Sequence, residues 1–270
     1  MDKPRFAIFK TKINKDNCEI YMNLSIEKNI KKLVKVLVKN EVKNVVLCKE
    51  LVENHKLIIA LNANDIRIFD GKWLEKYLVF EMLDFILKQK NLKREETELA
   101  VLTNEITDFD IYIIKTLAKT YKRLNVVTNH IEKLKKIEKM IYDETGVLIV
   151  LSNNHKKSLL KPQIILNLDF NKAVLNKYKI NENAVIVNID GDMAIYDKRF
   201  NGININDYEV SVGREECIWR EDMRFFGNKE LLEAALYRKD TFFNIRSDIL
   251  KNKVAIKEVY GINGKIEKFS

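Results

Sequence analysis

The chain has 270 residues, with 48 Lys or Arg against 39 Asp or Glu, a formal net charge of +9 and a hydrophobic content of 46%. This composition excludes disordered and fibrous classes, and the length suffices for one large or two modest domains. Three cysteines without C-x-x-C spacing indicate neither a disulfide framework nor a thiolate zinc site. No hydrophobic signal region follows Met1 and the apolar runs are short, so we expect a cytoplasmic protein that does not span a membrane.

The positive charge is concentrated near the N-terminus, where residues 1–95 hold 20 basic and 13 acidic groups. The chain has 10 Arg against 38 Lys and 28 Asn, a bias typical of the AT-rich coding of low-GC bacteria. Residues 26–39 have apolar side chains at helical spacing, which predicts an amphipathic helix with a basic outer face. We interpret this face as solvated, and nucleic-acid binding is the alternative. The face consists of Lys28, Lys31, Lys32, Lys35 and Lys39.

Residues 1–93 are predicted to form a small α/β domain. Strands are predicted at 6–10, 19–24, 44–48 and 66–69, with the basic helix between the second and the third. Residues 73–89 predict a helix that is apolar around most of its circumference and therefore buried. The polar stretch at residues 91–97 is the predicted domain boundary.

Residues 94–200 alternate short β-rich and helical segments, which predicts a doubly wound, mostly parallel, Rossmann-like sheet with crossover helices. Strands are predicted at 99–102, 124–127, 147–151, 164–168 and 184–189, and helices at 108–121, 131–144, 155–160 and 172–178. Thr107 and Asp110 predict a capping-box start for the first of these helices. Gly146 suits the end of the second.

Residues 201–270 are predicted to form a C-terminal hairpin and helices. Strands at 193–196 and 208–212 are predicted to pair around Asn201-Gly202, and helices are predicted at 215–225 and 229–238. Residues 259–266 predict a turn between short extended pieces. The aromatic residues here are interpreted as core rather than as a base-stacking platform. They are Trp219, Phe225, Phe226, Tyr237, Phe242 and Phe243.

Asparagine lies at or just after the end of each of the five predicted central strands. The carboxyl ends of parallel strands meet at one edge of a sheet, where ligands of open α/β sheets bind, so these residues predict a polar ligand-binding edge. Asparagine is also favoured in turns, and turn chemistry remains the alternative. The predicted ligand-binding residues are Asn104, Thr128, Asn129, His130, Ser152, Asn167 and Asn188.

The order of strands and helices over residues 96–192 is similar to that of the nucleotide-binding domain of shikimate dehydrogenase and glutamyl-tRNA reductase. The segments that carry this resemblance are residues 124–129, 132–134, 162–167 and 183–188. The resemblance implies a catalytic α/β domain first, a returning C-terminal helix and NADP as the cofactor.

The chain departs from these families after the first strand of this region, where residues 102–110 contain no glycine. A pyrophosphate needs close backbone approach at the start of a helix, and Glu105, Asp108 and Asp110 add negative charge there. A dinucleotide in the usual pose is therefore disfavoured, and the chain resembles a degenerate member of the Rossmann-like superfamily.

Three functional hypotheses follow from the sequence. The leading one is a non-catalytic or divergent Rossmann-like protein that binds a protein partner or a small polar ligand at the carboxyl edge of its sheet. The alternatives are an NADP-dependent oxidoreductase that resembles shikimate dehydrogenase, and a nucleic-acid-binding protein that uses Lys31, Lys32, Lys35 and Lys39. The scattered histidines indicate no metal site, and whether the protein is an enzyme stays open.

Overall fold

The computed structural model describes residues 5–9, 18–22, 26–47, 49–189, 193, 195, 199–213, 226–237 and 241–269. The chain divides into two compact units, of which unit 1 contains Met1–Leu78 and Glu209–Ala255 and unit 2 contains Val79–Tyr208 and Ile256–Ser270. The division at residues 93 and 200 stays a prediction about which segments fold as independent domains. No helix among the described residues is long and apolar enough to cross a membrane.

The described strands, in chain order, are β1 (Arg5–Phe9), β2 (Cys18–Met22), β3 (Asn44–Leu47), β4 (Arg67–Phe69), β5 (Glu98–Leu102), β6 (Arg123–Val127), β7 (Val150–Ser152), β8 (Ile164–Asn167), β9 (Val185–Asn188), β10 (Ile203–Ile205), β11 (Asp207–Val212), β12 (Val254–Gly261) and β13 (Gly264–Lys265). The α-helices are α1 (Ile26–Lys39), α2 (Lys49–Val52), α3 (His55–Asn62), α4 (Lys72–Glu75), α5 (Val79–Gln89), α6 (Asp108–Ala118), α7 (Ile131–Thr145), α8 (Lys172–Leu175), α9 (Asn228–Leu236) and α10 (Phe242–Lys251).

Unit 1 contains a four-stranded sheet in the order β2-β1-β3-β4. Strand β1 is antiparallel to both β2 and β3, whereas β3 and β4 are parallel. Helix α1 buries Leu33, Val34 and Leu37 in the core of this unit, as its apolar spacing predicts. The basic amphipathic helix is therefore confirmed, and Lys31 and Lys35 lie exposed on its opposite side.

The helix predicted at residues 73–89 is divided into two helices. Helix α4 and a 3-10 turn at Lys76–Leu78 precede α5. The boundary between the two compact units falls directly after this turn. Leu74, Leu78 and Val79 are all buried, which confirms that the segment is internal. The prediction of one continuous helix is wrong.

Unit 2 is built on a six-stranded sheet in the order β10-β9-β8-β5-β6-β7, and every adjacent pair in it is parallel. Apart from Glu98, every residue of the three central strands β5, β8 and β9 is buried. Such near-continuous burial is typical of parallel strands covered on both faces. The chain leaves β5 in one direction through β6 and β7 and in the other through β8, β9 and β10, so the predicted doubly wound, Rossmann-like sheet is confirmed.

The predicted hairpin between residues 193–196 and 208–212 is wrong. Strand β10, which no sequence pattern indicated, pairs in parallel with β9, and β11 lies next to β12 in a separate sheet ordered β11-β12-β13. The N–H of Asn201 donates to Glu182 O at 2.8 Å and that of Ile203 donates to Ala184 O at 3.0 Å. The Asn-Gly dipeptide thus leads the chain into the parallel ladder instead of reversing it. Residues 194 and 196 lie outside the described part of the chain.

The helix predicted at residues 155–160 is also wrong, because this segment is a turn. The side chain of Asn154 accepts hydrogen bonds from the N–H groups of Lys156 and Lys157 at 3.0 and 3.1 Å. Leu159 then forms an isolated parallel bridge with Ile180. The carbonyl of Asn154 also accepts from the N–H of Ser158 at 3.0 Å, so Asn154 caps a single helical turn that ends where Leu159 forms this bridge.

Two further predicted elements are shorter in the structure, because β7 begins at residue 150 rather than 147 and α8 ends at residue 175 rather than 178. The interpretation of the C-terminal aromatic residues as core holds for Phe226, which is buried, and is wrong for Phe243, which is 67% exposed.

Other local predictions agree with the structure. Thr107 and Asp110 form a reciprocal capping box at the start of α6, and Gly146 ends α7 with a φ of 70°. Strands β12 and β13 are antiparallel around residues 262–263, which confirms the predicted C-terminal turn. Helix α9 confirms the helix predicted at 229–238, apart from residue 238, which with residues 215–225 lies outside the described residues.

Candidate functional site at the carboxyl edge of the parallel sheet

The candidate site is the carboxyl edge of the unit 2 sheet, where the loops after β5, β6 and β7 and after β8, β9 and β10 begin. The strand order reverses between β5 and β8, which are neighbours in the sheet although β6 and β7 lie between them in the sequence. In open α/β sheets this topological switch point is where ligands bind.

The carboxylate of Asp169 occupies the switch point. It follows β8 and accepts hydrogen bonds from the N–H of Asn104, at 2.8 Å to Oδ1 and 2.7 Å to Oδ2, and from the N–H of Glu105. The hydroxyl oxygen of Thr103 lies 3.3 Å from Oδ2 of the same carboxylate. The loop after β5, where a dinucleotide-binding sheet presents its backbone N–H groups to a pyrophosphate, therefore already holds an anion that belongs to the chain.

Asn104 connects the loops after β5 and β6. Its Oδ1 accepts a hydrogen bond from the N–H of Asn129 at 2.9 Å. In the second loop, the hydroxyl of buried Thr128 accepts from the N–H of His130 at 3.0 Å. The structure thus brings Asn104, Thr128, Asn129 and His130 together, and it leaves the side chains of Asn129 and His130 exposed.

Ser152 lies at the end of β7, the next strand in the sheet. Its hydroxyl oxygen is 2.6 Å from that of Ser158 and accepts a hydrogen bond from the N–H of Asn154 at 3.2 Å. Asn153 and Asn154 are exposed in the turn that follows. The half of the edge formed by β5, β6 and β7 is therefore lined with polar side chains that solvent reaches, and the carboxyl group of Glu105 is among them.

Asn167 and Asn188, at the ends of β8 and β9, are in a different environment. They are 2% and 1% exposed, and Nδ2 of Asn167 donates to Oδ1 of Asn188 at 3.0 Å. Asn167 also donates to the carbonyl of Phe170 at 3.0 Å and accepts from the N–H of Phe170 at 2.8 Å. These bonds fold the turn after β8, which carries Asp169 at its centre.

The hydrogen-bonded row continues into β10 and the segment before it. Nδ2 of Asn188 donates to Oδ1 of Asn204 and Oδ1 of Asn206, each at 2.8 Å. Asn206 accepts from the N–H of Met193 and donates to its carbonyl, both at 3.1 Å, and Asn204 also donates to that carbonyl. We call Asn167, Asn188, Asn204 and Asn206 the asparagine ladder. Because its amides are bonded to one another, with Asn204 half-buried and the other three buried, the ladder closes this half of the edge.

Sequence reasoning did not select Asp169, Asn204 or Asn206. Asp169 stands two residues after Asn167, beyond a strand that borders the switch point, and the loop it meets has no glycine. An acidic residue facing a glycine-free loop is the signal that points to it. The alternating asparagines of residues 204–206 lie in and directly after β10, the strand that the sequence pattern did not reveal.

The described residues contain no group of three or more His, Cys, Asp or Glu side chains that could hold a metal ion. The ligand-binding role of the predicted edge residues stays a prediction, since each is placed by the structure but none is shown with a ligand.

No family model matches this chain, and no curated protein is similar to it in sequence. Shikimate 5-dehydrogenase from Listeria monocytogenes, in complex with shikimate and NAD, has 12% identity and a TM-score of 0.35, over 68% of this chain and 63% of that one. L-tryptophan dehydrogenase from Nostoc punctiforme has 7% identity and a TM-score of 0.37, over 87% and 68% of the two chains. The A chain of dipicolinate synthase from Bacillus subtilis has 11% identity and a TM-score of 0.36, over 74% and 63%.

The chain thus spans less than two thirds of the length of that shikimate 5-dehydrogenase. At these identities and TM-scores the similarities say nothing about ligand or activity. The Rossmann-like architecture rests on the strand order of the sheet itself, and membership of the shikimate dehydrogenase or glutamyl-tRNA reductase families stays a prediction.

Unit 1 contains a separate buried carboxyl group. Glu233, in α9, is 1% exposed and accepts a hydrogen bond from the N–H of Gly71, whose φ of 86° favours glycine. Burial, and after it the negative charge of Asp70, raises the pKa of Glu233 to about 7. The Gly71 N–H and the positive charge of Arg67 act in the opposite direction without cancelling that effect. This group therefore titrates near neutral pH.

The raised pKa of Glu233 predicts a loss of stability as the pH increases. Below about pH 4.5 the group is protonated in both the folded and the unfolded chain; between there and pH 7 only the unfolded chain releases the proton. Glu233→Gln keeps the acceptor for Gly71 and should remove this loss, which is on the order of 3 kcal/mol. Urea unfolding of the whole protein at pH 4.5 and pH 8 measures this loss. Glu53→Gln, at an exposed position of the same unit, is the control, and an equal pH response in both variants would contradict the assignment.

Proposed function

We propose that this protein is a Rossmann-like binding protein that does not hold a dinucleotide in the usual pose. A small polar ligand or a protein partner binds instead at the exposed half of the carboxyl edge, formed by the loops after β5, β6 and β7. The observation that supports this most directly is the Asp169 carboxylate, which accepts hydrogen bonds from the N–H groups of Asn104 and Glu105.

A pyrophosphate would compete with Asp169 for the same donors. It would also approach the charge of that carboxylate and of Glu105, which is exposed beside it. Two like charges 4 Å apart near a protein surface repel by about 4 kcal/mol. A repulsion of about 4 kcal/mol lowers affinity by roughly a thousandfold. The loop therefore disfavours any ligand whose binding depends on a phosphate at this position.

The exposed half of the edge favours a hydrogen-bonding ligand that carries no negative charge near Asp169 and Glu105. Asn129, His130, Asn153 and Asn154 are exposed and Ser152 is half-buried, and together they follow two adjacent strands. Adjacent strands lie about 4.8 Å apart, so these side chains span the width of a small molecule or of one peptide segment. Amide and hydroxyl groups supply both donors and acceptors, which suits a polar ligand or the backbone of a partner protein.

Titration with NADP tests the proposal. We expect the wild-type protein to show no increase in melting temperature at about 1 mM NADP, whereas Asp169→Ala, which frees the loop donors and removes a charge, should bind at least about tenfold more tightly. Asp143→Ala removes an exposed carboxylate elsewhere in unit 2 and should behave as the wild type. A wild-type dissociation constant below about 10 µM would overturn the proposal and favour the NADP-dependent oxidoreductase.

A second candidate function is nucleic-acid binding by the outer face of α1. This face presents four exposed lysines, and the opposite face of the helix is buried in the core. The four are Lys31, Lys32, Lys35 and Lys39. A row of cations on a rigid helix attracts a phosphate backbone without requiring any particular sequence.

Binding of a 20-nucleotide single-stranded RNA, measured by fluorescence anisotropy at several salt concentrations, tests this candidate. The double variant Lys31→Glu and Lys35→Glu should lose about tenfold or more in affinity. The slope of log affinity against log salt concentration should decrease in magnitude by about 1.4, because two phosphate contacts are lost. The matched control is Lys133→Glu with Lys136→Glu, two exposed lysines of α7. Affinity that is insensitive to salt, or equal losses in both double variants, would exclude the α1 face.

A further inference from the structure

Strand β7 is the outer strand of the six-stranded sheet, and one of its edges has no strand partner among the described residues. Residues 146–152 around it contain no charged residue and no proline. Leu148 is 69% exposed and Val150 is 56% exposed, although both are large and apolar. Natural sheets protect such edges with charges, prolines or covering elements, because an uncharged edge pairs with other strands.

The backbone of this segment is oriented for pairing. The carbonyl of Ser152 accepts a hydrogen bond from the N–H of Thr128 at 3.1 Å, on the side of the neighbouring strand β6. Backbone groups of successive residues in a parallel strand point alternately to the two sides, so the N–H and C=O groups of Leu151 point to the outer edge. The same alternation, continued to the residue directly before β7, assigns the N–H and C=O groups of Ile149 to that edge as well. Ile149 and Leu151 thus present backbone donors and acceptors to which a further strand can pair.

The charges at the two ends of the segment decide which partner fits. Asp143 is exposed at the end of α7, just before the segment, and Lys156 and Lys157 are exposed just after it. A strand that runs antiparallel and has the same sequence would bring the acidic end of one copy beside the basic end of the other. A parallel copy would bring like charges together, which is unfavourable.

We propose that two copies of this chain associate through the outer edge of β7, antiparallel about a two-fold axis at Val150. Ile149 of one copy exchanges backbone hydrogen bonds with Leu151 of the partner subunit, and the two parallel sheets become continuous. Val150 faces Val150 of the partner subunit as a non-hydrogen-bonded pair, so both exposed valines become covered. Such an interface is isologous and closes after two copies, which prevents the edge from adding further chains.

The first measurement is the mass of the full-length protein in solution, by sedimentation equilibrium over a range of concentrations. We expect a dimer for the wild type and at least about tenfold weaker association for Val150→Lys, because a lysine on an edge opposes pairing. Val52→Lys makes the same change at a valine that is 49% exposed in unit 1, and it should remain dimeric. A monomeric wild type, or a Val150→Lys variant that dimerises as strongly as the wild type, would overturn the proposal.

A second variant tests the position of the two-fold axis and does not depend on how well Val150→Lys folds. Residues opposite each other in a non-hydrogen-bonded pair have Cα atoms about 4.5 Å apart, which is within the range that a disulfide spans. With Val150→Cys, oxidised glutathione should link two chains: the two thiols give up two electrons and two protons, and the glutathione disulfide is reduced to two thiols. The wild type, which retains Cys18, Cys48 and Cys217, is the control. Equal linking of wild type and variant would contradict the proposed axis.

Discussion

The hydrogen bonds between the Asp169 carboxylate and the loop after β5 are the interaction on which the proposed function of the parallel sheet of unit 2 depends. An open α/β sheet has backbone N–H groups at its switch point whether or not a ligand is present, and those groups need acceptors. In dinucleotide-binding sheets the ligand supplies them. Here the carboxylate of Asp169 is the acceptor, and the N–H groups of Asn104 and Glu105 donate to it. The Rossmann-like sheet therefore has an internal acceptor for the N–H groups of the loop after β5.

The asparagine ladder explains why Asp169 is held in that place. Asn167 fixes the turn after β8 by bonding both the N–H and the carbonyl of Phe170, and Asn188 connects Asn167 to β10. Each ladder amide is hydrogen-bonded within the protein, and Asn167, Asn188 and Asn206 are buried, so a ligand that bound these three would have to replace buried hydrogen bonds. The carboxyl edge thus has a closed half at β8, β9 and β10 and an open half at β5, β6 and β7, and this asymmetry is the basis of the proposed function.

Local sequence patterns predicted most of the fold, because burial in parallel strands produces short apolar runs that are easy to recognise. The capping box of Thr107 and the helix end at Gly146 were predictable for a similar reason, since each depends on neighbouring residues only. Strand β10 was missed because its three residues give no apolar run, and its pairing with β9 depends on contacts distant in sequence. The helix predicted at residues 155–160 does not continue past one turn because Leu159 forms a bridge with Ile180, a contact distant in sequence.

The sequence predicted where the selected residues lie in the fold but not the environment of each side chain, and their role in binding a ligand stays a prediction. Asparagine at every strand end identified the carboxyl edge, but the same residue type serves as an exposed group at Asn129 and as a buried structural amide at Asn188. Only the three-dimensional arrangement separates these roles. Asp169 acts on a loop that is 65 residues away in the sequence at Asn104, so no pattern of neighbouring residues revealed the contact.

Amide hydrogen exchange at Asn104 and Glu105, followed residue by residue by NMR, tests the central claim most directly. If the Asp169 carboxylate holds these two N–H groups, they should exchange at least about tenfold faster in Asp169→Ala than in the wild type, with no change in Asp143→Ala. Exchange that is equally fast in the wild type and in Asp169→Ala would show that the donors are free. The switch point would then be open to a phosphate, and Asp169 would not be the group that keeps a dinucleotide out.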